Sequence, residues 1–387
     1  MLADTFAKSK TVFCDYELDA YSFSEQNKDW EALNDLPTLL KILVVTISAK
    51  PLPGLHPLSI PPIVYIVWCA LSIAIGVAAS SLGLRDSGIS LLLVPCGWVL
   101  TLHGTRLLRL TLQHAAAHNS VLKHSWANTL LGEVSSIVTI STDFRSYKRA
   151  HMHTHHNLQK LMTPGDETYS FWTQDLRLNP GATLRELQRS VITSLVSPFY
   201  HSRRFSHRVV ACFASSSLHH NVWSCLFWGS ILFLIVHAGY LRFFLVSWLI
   251  PISVLFECCS VLRQLVEHRC PTLEDPRMTA AIYLTDTPPP VAVESSCWKI
   301  FVSWGYWWLK LFTVHFLSRL LVLPGDSPNH PKHHNDPGAK DWRNHIYARS
   351  ERYDYPENFG LSSAILDSLQ SWEQSGDSRS VNVQSAG

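Results

Sequence analysis

Apolar positions along the chain gather into long uncharged runs. Residues 63–84 form 22 consecutive positions without a charge, and only Arg85, Asp86 and Ser87 separate them from a second uncharged run, 88–102. That run stays apolar as far as Leu112, interrupted by Arg106 and Arg109. About 20 apolar residues in a helix cross a bilayer, so the pair predicts a membrane hairpin. A second hairpin is predicted at 222–238 and 241–259, turning near Gly239. A third apolar region, 298–323, carries Lys299, Lys310, His315 and Arg319 among Trp304, Tyr306, Trp307 and Trp308. Aromatics with spaced charges suit a helix in the headgroup zone rather than a full span. Residues 36–50 predict another interfacial helix, and the TDTPPP run at 285–290 must break any helix.

Polar positions divide unevenly around these runs. The segment from about 113 to 220 holds 11 of the 32 basic side chains, among them Lys123, Arg145, Lys148, Arg149, Arg203, Arg204 and Arg208. The turns within the hairpins hold about one basic residue each. The positive-inside tendency therefore places the long segment in the cytoplasm. The first residues show no basic stretch followed by an apolar core, so no cleaved signal is expected and the N-terminus is expected to stay cytoplasmic. The tail from about Ser368 is rich in Ser, Gln and Gly and is expected to be disordered. The chain thus divides into an N-terminal segment (1–60), a membrane domain with its cytoplasmic part (61–350) and a tail (351–387). The fold class is an all-α integral membrane protein with about four transmembrane helices in two hairpins under a cytoplasmic helical cap.

Composition agrees with this and narrows the chemistry. Hydrophobic residues make up 47% and charged residues 16%, against roughly 25% charged in a soluble protein. The net charge of +2, without a long basic block, argues against a nucleic-acid partner. Nine scattered cysteines form no CxxC pair, and a disulfide framework is not expected. The anomaly is 20 histidines in so apolar a chain.

Those histidines cluster. His114-Ala-Ala-Ala-His118 closes the second predicted span, and i, i+4 spacing puts both rings on one helix face. The run His151-Met-His153-Thr-His155-His156 packs four histidines into six residues. On an α-helix His151 and His155 share a face, while His156 turns about 100° away, toward a second metal. His153 lies on the far side. His330-Pro-Lys-His333-His334 repeats the i, i+3, i+4 pattern, with Pro331 suited to a first helical turn. His268 ends the run Arg263-Gln-Leu-Val-Glu-His268 directly after the fourth predicted span. With the hairpins as drawn, all four elements meet at one membrane face, where a histidine-rich dimetal site would lie within the cap. One face of each gives nine imidazoles: His114, His118, His151, His155, His156, His268, His330, His333 and His334. Two metals with four or five nitrogens each would use all nine. Imidazole suits Fe, Cu and Zn alike. An all-histidine pair beside a membrane points to oxygen chemistry on a greasy substrate, which side chains alone cannot perform.

The three boxes, HAAAH, HMHTHH and HPKHH in that order, resemble those of the membrane fatty-acid desaturase superfamily, which includes related hydroxylases. RQLVEH is similar to that family's additional ligand helix. The resemblance covers roughly residues 60–350. It implies two iron ions, O2 as co-substrate, an external electron donor and a fatty acyl chain carried by a lipid, coenzyme A or a carrier protein. A shifted reading of the second box would select His153 in place of His151. No HPGG-type haem motif and no GxGxxG motif are present, so electrons would arrive from a separate ferredoxin or cytochrome with its reductase.

Ligating histidines usually give their second nitrogen to a carboxylate or carbonyl. Asp143, Arg145, Arg149, Asp166 and Glu167 surround the second box, and Asp336, Asp341, Trp342 and Asn344 follow the third. Glu133, isolated in an apolar stretch, is a further candidate. The substrate is expected to occupy a narrow apolar channel. Three readings follow: a desaturase forming a C=C bond, a hydroxylase of a lipid or specialised metabolite, and a histidine-rich metal carrier. The last expects ligands at bilayer depth, whereas the boxes lie at span ends.

Overall fold

A computed structural model describes residues 28–56, 60–85, 88–272, 275–289, 296–347 and 356–384. The N-terminal polar segment to residue 27 lies outside the described residues. The chain is mostly helical, and four helices are long and apolar enough to cross a membrane: Pro62–Gly83, Gly88–Ala117, Leu218–His237 and Leu241–Glu267. They coincide with the four apolar runs. In chain order the helices that position the site are α1 (Thr38–Ser48), α2 (Pro62–Gly83), α3 (Gly88–Ala117), α4 (Ser125–Val138), α5 (Phe144–Ala150), α6 (Leu184–Val196), α7 (Pro198–Phe213), α8 (Leu218–His237), α9 (Leu241–Glu267), α10 (Cys297–Lys310), α11 (His330–Asn335) and α12 (Leu361–Gln384).

Small residues explain how α2 and α3 pack. The buried positions of α2 are Cys69, Ser72, Gly76, Ser80 and Gly83, a stripe at helical spacing. It meets Gly97, Thr101 and Gly104 of α3. A Cβ at Gly76 would lie 2.5 Å from the Thr101 nitrogen, and one at Gly97 would lie 2.6 Å from the Ser80 nitrogen. The backbones touch because side chains are absent, which is how helices associate where apolar burial offers little drive. Leucine-rich faces point outward instead: Ile63, Val67, Leu71 and Ile75 on α2, and Leu226, Phe233 and Leu234 on α8, are exposed.

Arg106, inside the second apolar helix, is fully buried and donates to the carbonyls of Phe256, Cys259 and Val322 and to Ser260 Oγ. It ties α3 to α9 and to the segment after α10. The α10 region, expected at the headgroup level, is not among the four span-length helices. Trp307 and Leu311 pack on Val44, Val45 and Ile47 of α1, while Trp298, Phe301, Tyr306, Leu309 and Phe312 face outward. The expected break at 285–290 is present, as residues 285–289 are not helical.

A second core lies away from the apolar helices. Trp172, Leu176, Leu178, Leu187 of α6 and Leu265 of α9 enclose Leu369 and Trp372 of α12. The segment from Ser368, expected to be disordered, is therefore part of a docked helix through at least Ser375. Ser368, Ser371 and Ser375 are buried and hydrogen-bonded, so its polarity marks small side chains against backbone. Two short parallel strands, β1 (Ala281–Tyr283) and β2 (Glu357–Phe359), pair in register Ala281↔Glu357 and hold the start of α12. All eight described cysteines are free.

Candidate metal centre

Each histidine is set by local structure. In α3 the stretch Leu107–Leu112 is wound as a π-helix, just before His114 and His118 at the helix end. Such widened turns shift side-chain direction and recur at functional sites. α5 starts at Asp143, whose carboxylate accepts from the Ser146 N–H at 2.9 Å, an N-cap. It runs directly into a π-helical turn, His151–His155, where the His156 N–H reaches the His151 carbonyl at 3.0 Å. His268 follows the last residue of α9 in extended conformation and is held by an antiparallel bridge to Thr279. α11 begins at His330 with Pro331 in its first turn.

The nine histidines converge in two groups. His114, His118, His151, His156 and His333 form one; His155, His268, His330 and His334 form the other. All present Nε2 inward. His151 Nε2 lies 2.9 Å from that of His114, 3.0 Å from that of His118 and 3.0 Å from that of His156. In the second group His268 lies 3.3 Å from His155 and 3.2 Å from His330, and His334 lies 3.0 Å from His330.

This pairing corrects one expectation. His151 and His155 were placed on a common face, with His156 turned toward the second metal; the reverse holds. The π-helical turn, closed by the His156 N–H on the His151 carbonyl, puts His151 and His156 in one group while His155 faces the other. His153 is exposed and outside both groups, so the structure brings His151, and not His153, to the converging histidines.

Nitrogen spacing shows what the groups suit. An imidazole nitrogen has one lone pair or one N–H, so His151 Nε2 cannot hydrogen-bond to three nitrogens at once. Ligands about 2.1 Å from one ion and at right angles to each other would sit roughly 3.0 Å apart, which is the spacing found. Burial and the neighbouring imidazoles hold His151, His268, His330, His333 and His334 well below the usual histidine pKa. The same causes, with Lys148 beside His118, push His118 down to about 4 and His156 to about 3. These rings are neutral near pH 7, the form that ligates a metal.

Of the supporting residues, Asp166 alone meets a histidine of the groups. It is buried, and its Oδ1 lies 3.3 Å from His155 Nδ1, so the ring is held from behind while Nε2 faces inward. Its other oxygen accepts from the Met162 N–H. Asp143 caps α5, Asp336 pairs with Lys332 at 3.0 Å, and Asp341 accepts from Asn344 at 2.8 Å. Glu133 is not at the centre: its carboxylate meets His220 Nδ1 at 2.8 Å, joining α4 to α8. Sequence reading missed Asp326 and His345, both buried, which gather with His333. Burial pushes the Asp326 carboxyl up to about 7. The one available signal was an acid four residues before His330.

A cavity of about 520 Å³ opens beside both groups, touching His114, His151, His155, His268 and His330. Its wall is not the apolar channel expected. Leu110, Phe171, Ala211 and Phe256 contribute apolar surface, but Arg109, Asp166, Glu167, Asp175, Arg204, Arg208, Glu257 and Arg263 also line it.

A family model described as fatty acid desaturase matches residues 89–317, more than half of the chain. The match contains the first two boxes and His268; the third box, beyond it, is the one the fold brings back to them. No curated protein matches the chain. With four apolar helices of spanning length, nine converging histidines and this match, the chain belongs to the fatty acid desaturase family and is an integral membrane protein.

Proposed function

We propose that the protein is a multi-pass, membrane-bound di-iron oxidoreductase that uses O2 and electrons from a separate donor to introduce a C=C bond into an acyl chain. The observation that carries this reading is the division of nine inward-facing Nε2 atoms into groups of five and four. His114, His118, His151, His156 and His333 would hold one iron; His155, His268, His330 and His334 would hold the other. Bound iron supplies the oxidation of an unactivated C–H bond, which no side chain can provide.

The chain's own residues do the rest. Asp166 holds His155 in one orientation, and burial of His114, His268 and His330 keeps bulk water from the inner face. The cavity sets which carbon lies beside the groups, and such placement is worth several orders of magnitude in rate. The basic segment between α3 and α8 supports a cytoplasmic site, where a ferredoxin or cytochrome-type donor could reach it. A second reading, hydroxylation of a lipid or specialised metabolite by the same centre, is favoured by one observation, the charged cavity wall.

The test is expression with a donor and reductase, metal analysis and comparison of the lipid profile with that of His333→Ala. Two tightly bound irons per chain, O2 consumption and a product lacking two hydrogens are expected. A product gaining oxygen would select the hydroxylase. One labile metal without O2 consumption would overturn both readings in favour of a metal carrier.

A further inference from the structure

The charges around the cavity do not all cancel. Arg204 lies 2.5 Å from Asp175 and 3.5 Å from Glu257, Arg208 lies 2.9 Å from Glu257, and Arg203, outside the cavity wall, lies 3.0 Å from Asp175, so both carboxylates of this cluster are engaged by arginines. Arg263 pairs with Glu267 at 2.6 Å, and Asp166 is committed to His155 and the Met162 N–H. Two charged side chains remain. Arg109 is fixed over the Tyr147 ring at 4.3 Å and donates through one nitrogen to Gln113, which is itself tied to Ser136 at 2.5 Å. No carboxylate of a described residue lies within ion-pair distance of it. Glu167, on the same wall, is solvent-exposed and has no hydrogen bond or ion pair among the described residues. A rigidly held, half-buried guanidinium and a solvent-exposed carboxylate thus line one cavity beside the histidines, and it is the guanidinium that is costly to leave without an anion.

We propose that the substrate carries an amino-acid-type head, its acceptor bound by Arg109 and its ammonium or N–H donor by Glu167, with the oxidised carbon close to that head. The apolar tail lies along Leu110, Phe171, Ala211 and Phe256. This rests on the di-iron reading, because it takes the histidine groups as the reacting centre.

The experiment uses the iron-loaded full chain in nanodiscs and titrates three probes by calorimetry: 2-aminododecanoic acid, dodecanoic acid and dodecylamine. The zwitterion is expected to bind at least about tenfold more tightly than either single-charge probe, as one extra charge-assisted contact implies. Glu167→Gln should weaken the zwitterion and the amine about tenfold and leave the fatty acid unchanged. Arg109→Lys should weaken the zwitterion and the fatty acid and spare the amine. Dodecanoic acid binding as tightly as the zwitterion, with Glu167→Gln having no effect, overturns the assignment. Metal analysis of the same sample separates the two failures. Two irons without head selectivity sink the substrate proposal alone; head selectivity in a protein that retains no iron sinks the di-iron reading alone.

Discussion

Arg208 offers a sharp test of how the cavity wall is held. It projects from α7 and donates to the carbonyls of Thr139 and Ile140 at the end of α4, to the Ile252 carbonyl of α9 at 2.7 Å, and to Glu257 at 2.9 Å. The side chains of Arg208 and Glu257 are only 11% and 2% exposed, so solvent screens this pair little. Arg208→Met removes all four bonds and leaves the Glu257 carboxylate with Arg204 alone, at 3.5 Å. Losing one partner of a buried pair costs ~3–5 kcal/mol. Glu257→Gln leaves Arg208 its three carbonyls and Arg204 its contact with Asp175, so its cost should be nearer ~1–2 kcal/mol. In detergent, with unfolding followed by tryptophan fluorescence, Arg208→Met should lower Tm by roughly 10 °C. Glu257→Gln should lower it by a few degrees, and the double variant by less than the sum. If Arg208→Met unfolds with the wild type, or Glu257→Gln proves the costlier change, the network does not hold the wall together.

Four further outcomes follow from the same geometry. His151→Ala should lose iron while His153→Ala retains two per chain by metal analysis; equal losses would return the second box to the shifted reading. Asp166→Asn should weaken metal retention about 10–100-fold in a chelator competition, the usual effect of removing a ligand's hydrogen-bond partner. Metal loading should change little between pH 8 and pH 5, because His118 and His156 bind protons only near 4 and 3; below pH 5 protons compete and loading falls, whereas a solvated histidine tract would lose metal near 6.5. Gly97→Ile should disrupt the α2–α3 contact and lower the yield of folded protein, since even a Cβ there meets Ser80; unchanged yield and Tm would refute the close approach.

The four apolar helices were legible because bilayer thickness leaves a length signal that needs no tertiary knowledge. That these nine histidines converge was legible for a similar reason: boxes at i, i+3 and i+4 are local patterns. Which histidine joins which group was not. It depends on the π-helical turn at His151–His155, and α-helical periodicity assigns that turn the wrong partner. Glu133 misled because isolation in an apolar stretch says a charge has a partner, not which one; His220, 87 residues later, was invisible. The α12 segment misled by composition. Its serines read as disorder, yet they are small side chains that let a helix sit against His268 and Cys270.

That last contact bears on how the centre is made. Ser368 Oγ donates to the His268 carbonyl at 2.8 Å, and the Cys270 N–H donates to Ser371 at 3.0 Å. The strand pair β1–β2 anchors the start of α12 beside them. A ribosome releases His114 long before His330, and the helix that braces His268 emerges later still. Ion capture in the finished geometry therefore cannot accompany synthesis of the early boxes. It would wait for the third box and α12, and shortening the chain before α12 would keep every histidine yet deprive His268 of its backing.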